Sequence, residues 1–446
     1  MTLSEIRSAL TQLELVPSKG LGQSFLHDQN LARWFADQVS AEKGDHIIEI
    51  GPGLGAITEF LIGRDAKITV IERDRRLAEY LATRFSADEV TIIREDATRF
   101  DTRRLFGEGR VKVIGNLPYS VSTALIEIFT MALSPACLLV LGLQRELAER
   151  LAAAPRTKAY GAMSVCLQRN WNIKILKRFP ASVYYPAPKV QSAVVRLLPK
   201  SPQELIACDA EFFEKLVRRG FSERRKQLRK LIDSPSVPWK EVADTIGFSE
   251  TARAEELSVE QWARLANLYR PPPDICAQDA AELFDVVDES DNVIGPQPRG
   301  TVHVNNLRHR AVHILIFNSL GELFLQKRTL WKDKNPGKWD SSTAGHVDAG
   351  ENYLEAAVRE IREELGVEIP PETLKPVHKL SSAENTGFEF IQIYRTTYEG
   401  PFTFASAEVE TGAFFTLPQI RQWLQSAPED FTPVFRLCGE KALLSG

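Results

Sequence analysis

Asn116-Leu117-Pro118-Tyr119 carries the most specific chemistry in this chain of 446 residues. It follows an apolar run, Val111 to Ile114, so a buried strand delivers it to a loop. The Asn116 side-chain oxygen and a nearby backbone carbonyl, that of Leu117, are acceptors for an exocyclic amine. Pro118 stiffens the turn, and Tyr119 offers a flat face to a base. Adenine N6 is a poor nucleophile because its lone pair is delocalised into the ring. Two acceptors on its hydrogens draw it towards tetrahedral geometry and aim the lone pair at an electrophile. No general base is obligatory, since the proton can leave after transfer. The plain alternative is a proline-capped loop with a core tyrosine.

A second reactive group lies far downstream. Gly345-His346-Val347-Asp348-Ala349-Gly350-Glu351 precedes seven residues and then Arg359-Glu360-Ile361-Arg362-Glu363-Glu364-Leu365-Gly366-Val367. On a helix Glu360, Glu363 and Glu364 share one face. Three carboxylates so placed repel one another unless a cation holds them, which points to Mg²⁺ or Mn²⁺ with oxygen ligands. Such a cluster activates water and neutralises a diphosphate.

Regular elements must hold these residues in place. His46 to Gly55 is an apolar run ending at Glu49, then glycines at 51, 53 and 55, then an amphipathic segment. That pattern predicts a strand, a tight turn and a helix N-terminus. Lys67 to Glu72 is a second strand, and Glu72 lies 21 residues after Gly51, where a βαβ unit places a carboxylate on a ribose. Val90 to Ile93 is a third strand leading to Asp96, Val111 to Ile114 a fourth, and Leu138 to Leu143 a fifth. Strands alternating with helices predict a doubly wound parallel sheet, with its ligand at the carboxyl edge. The glycines alone fit a nicotinamide, flavin or adenosylmethionine site; Glu72 and Asp96 favour an adenine nucleoside, although either acid also serves as a helix cap.

Bulk properties set the frame. The length implies two or three domains. The five cysteines are scattered and never in CxxC spacing, which argues against a disulfide framework or a zinc site. No apolar run reaches the ~20 residues of a membrane span and the N-terminus lacks a secretory pattern, so a cytoplasmic, membrane-free protein is expected. Residues 1–270 hold 39 Lys+Arg against 33 Asp+Glu, and 271–446 hold 16 against 26. The first part can approach a polyanion; the second must manage one through metal ions or local arginines. From about 205 the pattern turns helical and basic: Arg218, Arg219, Arg224, Arg225, Lys226, Arg229 and Lys230 form a candidate RNA-backbone surface. Pro271-Pro272-Pro273 opens a linker over 270–282. The expected organisation is 1–204, an α/β domain; 205–269, a helical basic subdomain; and 283–446, a separate α+β domain.

Residues from about 15 to 268 resemble the rRNA adenine N6-dimethyltransferase family. The matching stretches are LGQSFLHD, EIGPGLGAIT, Glu72, Asp96, NLPY, Ala159-Tyr160-Gly161, PAPKVQS, FSERRKQL and RAEELS. The resemblance implies a Rossmann-like adenosylmethionine-dependent sheet with a small helical C-terminal subdomain. It further implies dimethylation of two adjacent adenosines near the 3′ end of 16S (small-subunit) rRNA in the immature 30S subunit. By position, Gln23, Ser24 and Leu26 border the methionine end of S-adenosyl-L-methionine. Gly51, Gly53 and Gly55 pass beneath it, Glu72 takes the ribose, Asp96 the adenine amine, and Asn116 the reacting centre with Leu117, Pro118 and Tyr119. Tyr184, where the family usually has Phe, becomes the second aromatic wall of the target pocket. Ser24 replaces a usual Asn or His, and Gln191 a usual Asp. A large-subunit rRNA dimethylase of the resistance type shares these cofactor motifs, and a non-catalytic ribosome-assembly or RNA-binding factor could keep the fold.

Residues from about 283 to 440 carry a complete Nudix box and resemble that hydrolase family. The resemblance implies a Nudix fold with Glu360 and Glu364 as principal metal ligands and Glu363 assisting in metal binding and catalysis. Arg359 orients the cluster, while Gly345 and Glu351 support the loop and helix start. The surroundings also resemble the isopentenyl-diphosphate isomerase branch, but Thr343-Ala344 stand where its catalytic cysteine belongs. Hydrolysis of a nucleoside diphosphate derivative is therefore expected over isomerisation, with Arg308, Arg310 and Lys327 as candidate phosphate contacts.

Overall fold

The computed structural model describes residues 1–17, 23–201, 204–232, 237–270, 281–330, 332, 334–405 and 407–442. Most of the expected linker lies outside them. The chain forms two compact units, Met1–Tyr269 and Arg270–Gly446, each described here by itself.

Unit 1 is built on a seven-stranded sheet. Its strands are β1 (Asp45–Ile50), β2 (Lys67–Glu72), β3 (Thr91–Arg94), β4 (Arg110–Asn116), β5 (Ala136–Gln144), β6 (Trp171–Phe179) and β7 (Ser192–Pro199). Their order is β3-β2-β1-β4-β5-β7-β6; the first five are parallel, and β7 runs antiparallel to both neighbours. β1 and β4 are buried along most of their length, with Ile47, Ile48, Val111, Val113 and Ile114 in the core, as a parallel sheet covered on both faces requires. The strand order reverses between β1 and β4, which opens a crevice at their carboxyl ends. Beside the sheet, Phe25–Leu26 pairs antiparallel with Tyr184–Tyr185. Asp28 caps the following helix, Gln29–Asp37, by accepting from the Leu31 N–H at 2.9 Å. Helices Ala210–Gly220, Trp239–Ile246 and Val259–Tyr269 gather around buried Trp262, Phe213 and Tyr160.

Unit 2 holds a mixed sheet. A hairpin of β8 (Leu283–Val287) and β9 (Val293–Pro298) precedes β10 (His309–Phe317) and β11 (Leu323–Arg328). Then come β12 (Trp339–Asp340), β13 (Thr343–His346), β14 (Lys375–Leu380), β15 (Glu389–Thr397) and β16 (Val409–Phe415). β10 is central, parallel to β15 and antiparallel to β13. Helix Tyr353–Leu365 lays Ala356, Ala357, Ile361 and Leu365 against this core. Asn352 and Glu355 form a capping box at its start, and Gly366 ends it in the left-handed conformation (φ 63°). No helix among the described residues is long and apolar enough to cross a membrane.

Candidate active sites

In unit 1 the crevice holds a cavity of about 580 Å³, lined by Gln23, Ser24, Leu26, Gly51, Gly53, Glu72, Asp96, Asn116, Leu117, Pro118 and Tyr119. That volume suits a nucleoside-sized cofactor. Gly51 and Gly53 turn the chain at φ 64° and 58°, which a side chain would strain. Glu72 braces the turn: one oxygen accepts from the Gly53 N–H at 3.3 Å, the other from the Asp74 N–H at 2.8 Å. Burial pushes its carboxyl up, opposed by these donors. Asp96 accepts from the Thr98 hydroxyl at 2.7 Å and faces Arg73 at 3.2 Å; the Thr98 bond holds its carboxyl below the usual range. Glu49, also on the cavity wall, accepts from the Thr58 hydroxyl at 2.6 Å, and burial pushes it up to about 7.

Two expectations need correcting. Gly55 is off the cavity lining; a Cβ there would lie 2.7 Å from the Phe85 ring, so this glycine serves close packing between turn and helix. Tyr184 is not a cavity wall but a buried residue, 4% exposed, tilted against Phe179 at 6.0 Å. Strand alternation explains this: Leu26 and Tyr184 are register partners and point together into the core, whereas Phe25 and Tyr185 pack on another cluster. From there the Tyr184 hydroxyl donates to Asn116 Oδ1 at 2.6 Å. The Tyr119 hydroxyl lies 2.7 Å from Ser192 Oγ. Gln191 accepts from the Arg145 guanidinium through its side chain at 2.7 Å.

The basic cluster is largely neutralised within unit 1. Arg218 pairs with Glu214, Arg224 with Glu255, Lys226 with Glu223 and Arg229 with Glu250, all within 2.9 Å. Arg219 donates to the Leu231 carbonyl. Exposed Arg225 and Lys230 have no partner among the described residues.

In unit 2, Glu360, Glu363, Glu364, Gly345 and His346 line a cavity of about 610 Å³. Glu364 is buried and its Oε2 accepts from Gln326 at 3.0 Å, the Ala344 N–H at 3.3 Å and the Thr343 hydroxyl. Glu360 receives Arg359 Nη1 at 2.7 Å, yet burial and the neighbouring Glu364 push it up to about 8. The same guanidinium reaches Glu363, Glu351 and the His346 carbonyl. The three carboxylates thus converge as their spacing predicted. The suggested phosphate contacts are already paired, Arg308 with Glu289, Arg310 with Asp291 and Lys327 with Glu410.

One constellation escaped sequence reasoning. Ligand-capable atoms of His303, His309 and His346 lie within 4.8 Å of one another. His309 Nδ1 donates to the Leu307 carbonyl at 2.8 Å, and its Nε2 lies 3.6 Å from Glu389 Oε1; His346 Nε2 is 3.3 Å from the same oxygen. Residues so distant in sequence give no periodic signal.

Comparison with known proteins agrees with both readings. Residues 18–270 match the ribosomal RNA adenine dimethylase family and residues 307–435 the NUDIX domain. The chain is 38% identical over 280 residues to "Ribosomal RNA small subunit methyltransferase A" of Actinobacillus pleuropneumoniae serotype 5b, covering 61% of this chain and 94% of the relative. A dimethyladenosine transferase from Plasmodium falciparum is similar at 21% identity and TM-score 0.46, covering 54% of this chain and 95% of that one. A MutT protein from Methanosarcina mazei is similar at 22% identity and TM-score 0.24, covering 28% and 86%. With residues 18–270, more than half of its length, so matched, the chain belongs to the ribosomal RNA adenine dimethylase family and carries a NUDIX domain C-terminal to that match.

Proposed function

We propose that unit 1 transfers methyl groups from S-adenosylmethionine to N6 of two adjacent adenosines near the 3′ end of small-subunit rRNA. The observation that carries this reading is one cavity lined by the glycine turn, Glu72, Asp96 and Asn116-Leu117-Pro118-Tyr119. The cofactor, when bound, supplies an electrophilic methyl group. Glu72 offers carboxylate oxygens to its ribose, Asp96 accepts from its adenine amine, and Gly51 and Gly53 let it lie against the backbone. Asn116 Oδ1 accepts from the target amine, and Tyr119 stacks on the target base. Extruding that base costs a few kcal/mol, and stacking returns roughly 1–3 kcal/mol. With Tyr184 in the core, Tyr119 supplies that return by itself among the two tyrosines. Within the basic run, Arg225 and Lys230 are exposed without a partner among the described residues and are offered to the RNA backbone.

Unit 2 is read as a hydrolase of a nucleoside diphosphate derivative. Glu360 and Glu364 would hold Mg²⁺ or Mn²⁺, with Glu363 beside them, and the cation supplies water activation and charge neutralisation. His303, His309 and His346 form a second group able to hold a cation, and His346 and Glu389 also line the cavity of the carboxylates. A cytoplasmic location follows from an rRNA substrate.

Incubating the chain with unmodified small subunits and radiolabelled adenosylmethionine tests the first activity. Dimethyl label on two neighbouring adenosines of the small-subunit rRNA supports the reading; label on large-subunit rRNA, or none, overturns it. For unit 2, phosphate or nucleoside monophosphate released from a diphosphate panel in Mg²⁺, and lost in E364Q, supports hydrolysis. No turnover across the panel overturns it.

A further inference from the structure

Family resemblance assigns position 184 to a phenyl ring, and a phenyl ring has no hydroxyl. Here the hydroxyl exists and is used. Tyr184 is buried, and its hydroxyl donates to Asn116 Oδ1 at 2.6 Å, the oxygen assigned to the target amine. Ser192 is fully buried at the start of β7, held by register opposite Gln144 and Phe179. Its hydroxyl meets Tyr119 at 2.7 Å and also lies against Tyr184. Tyr119, Ser192, Tyr184 and Asn116 thus form a row of polar groups running from the base-stacking ring to the acceptor amide.

An asparagine side chain can be rotated by half a turn at little steric cost, which exchanges its acceptor for its donor. Nothing in the amide itself selects the productive orientation. An NH₂ group turned to the target amine would repel its hydrogens and hold nothing. A hydroxyl fixed in the core, donating to Oδ1, makes the exchange costly and leaves the second lone pair of that oxygen for N6. Tyr184 is fixed by Leu26, Phe179 and the short pairing with Phe25–Leu26.

We infer that the Tyr184 hydroxyl is a positioning group for methyl transfer: through its hydrogen bond it locks the Asn116 amide with Oδ1 available to the target amine, and Ser192 ties that lock to the Tyr119 ring. The inference rests on the methyltransferase reading of unit 1. It has a consequence for the two transfers. The first acts on an amine with two N–H groups for two acceptors. The second acts on a monomethylated amine with one, so it depends more on a correctly turned Asn116.

The test is Y184F in the full chain, which keeps the ring and removes the hydroxyl. A lost hydrogen bond of ordinary strength lowers kcat roughly tenfold, with cofactor Kd and the KM for the RNA within about twofold of wild type. N6-monomethyladenosine accumulates at the expense of the dimethyl product. A purely structural role would instead lower Tm and active fraction while leaving the mono-to-dimethyl ratio at its wild-type value. S192A, which keeps Tyr184 in place, should shift the product ratio the same way by a smaller factor and covers the case in which Y184F does not fold. Active wild type matched in kcat and product ratio by the variants overturns this inference alone. A wild-type chain that methylates no adenine overturns the underlying reading as well.

Discussion

Gly345 and Glu360 are in such close contact that a Cβ on Gly345 would lie 2.0 Å from the Glu360 carboxyl carbon. The glycine is therefore the space in which that carboxylate sits, and its neighbour His346 gives its carbonyl to Arg359. In G345A the Glu360 side chain must swing away, because a flexible carboxylate yields before backbone does. Diphosphate hydrolysis should fall by roughly 10–100-fold, the cost of disturbing what orients a metal ligand, while methyl transfer by unit 1 stays at the wild-type rate. Hydrolysis at more than half the wild-type rate would show that Glu360 is dispensable.

On the proposed reading Tyr119 serves the target base and not the cofactor. It lines the same cavity as Asn116, and its hydroxyl meets Ser192 Oγ at 2.7 Å. Y119A should lower single-turnover methylation by roughly 5- to 150-fold and leave adenosylmethionine affinity within about threefold, because one lost stacking partner removes roughly 1–3 kcal/mol from the base alone. Isothermal titration with the cofactor and single-turnover methylation report the two quantities separately. Y119F should keep most of the activity, since the stacking face survives.

Glu49 links stability to pH. Its carboxyl is pushed from 4.5 up to about 7 by burial, so between those values the folded chain holds a proton that the unfolded chain has released. The stabilisation is complete below about 4.5 and is lost as pH rises through 7. Raising the pH from 5 to 8 should therefore cost the wild type up to about 3 kcal/mol more than it costs E49Q, which stays neutral and still accepts from Thr58. Urea unfolding of both proteins at the two pH values measures the difference. Parallel curves for the two would mean that Glu49 is ionised throughout.

RNA affinity should depend on two cations out of the dense basic run. Since Arg218, Arg224, Lys226 and Arg229 already face carboxylates, recruiting them to phosphate means breaking an existing pair. R225E/K230E should flatten the plot of log affinity against log salt by about 1–2 units, at roughly 0.7–0.9 per phosphate contact. R218A should leave the slope within experimental scatter. Equal effects from both variants in a filter-binding series would show that the ion pairs open on binding.

What the sequence made legible follows the physics of each element. β1, β2, β4 and β5 are buried along most of their length, so they stand out as largely apolar runs, and the strand tips supply Glu72, Asp96 and Asn116 directly. Glu360, Glu363 and Glu364 were legible because helical spacing is local. The edge hairpin of β6 and β7 was not read: Trp171–Phe179 alternates lysines with isoleucines, and its partner is known only through pairing. The burial of Tyr184 was hidden for the same reason, as its direction depends on a two-residue pairing with a segment about 160 positions earlier. The basic run looked like free charge because its acidic partners, Glu250 and Glu255 among them, lie on other elements. The histidine group is assembled wholly by tertiary structure.

The position of β7 sets an order of events during synthesis. It is the last strand of its sheet in sequence, yet it lies between β5 and β6 in space. A nascent chain that ends before Ser192 lacks the strip that joins β6 to the remainder, and it also lacks the hydroxyl that meets Tyr119. The proposed cofactor residues of β1 and β2 are made early, whereas the proposed base-binding wall is finished only when Pro199 has left the exit tunnel. Any circular permutant or truncation that separates Ser192–Pro199 from the rest should thus keep the glycine turn and lose the grip on the target base.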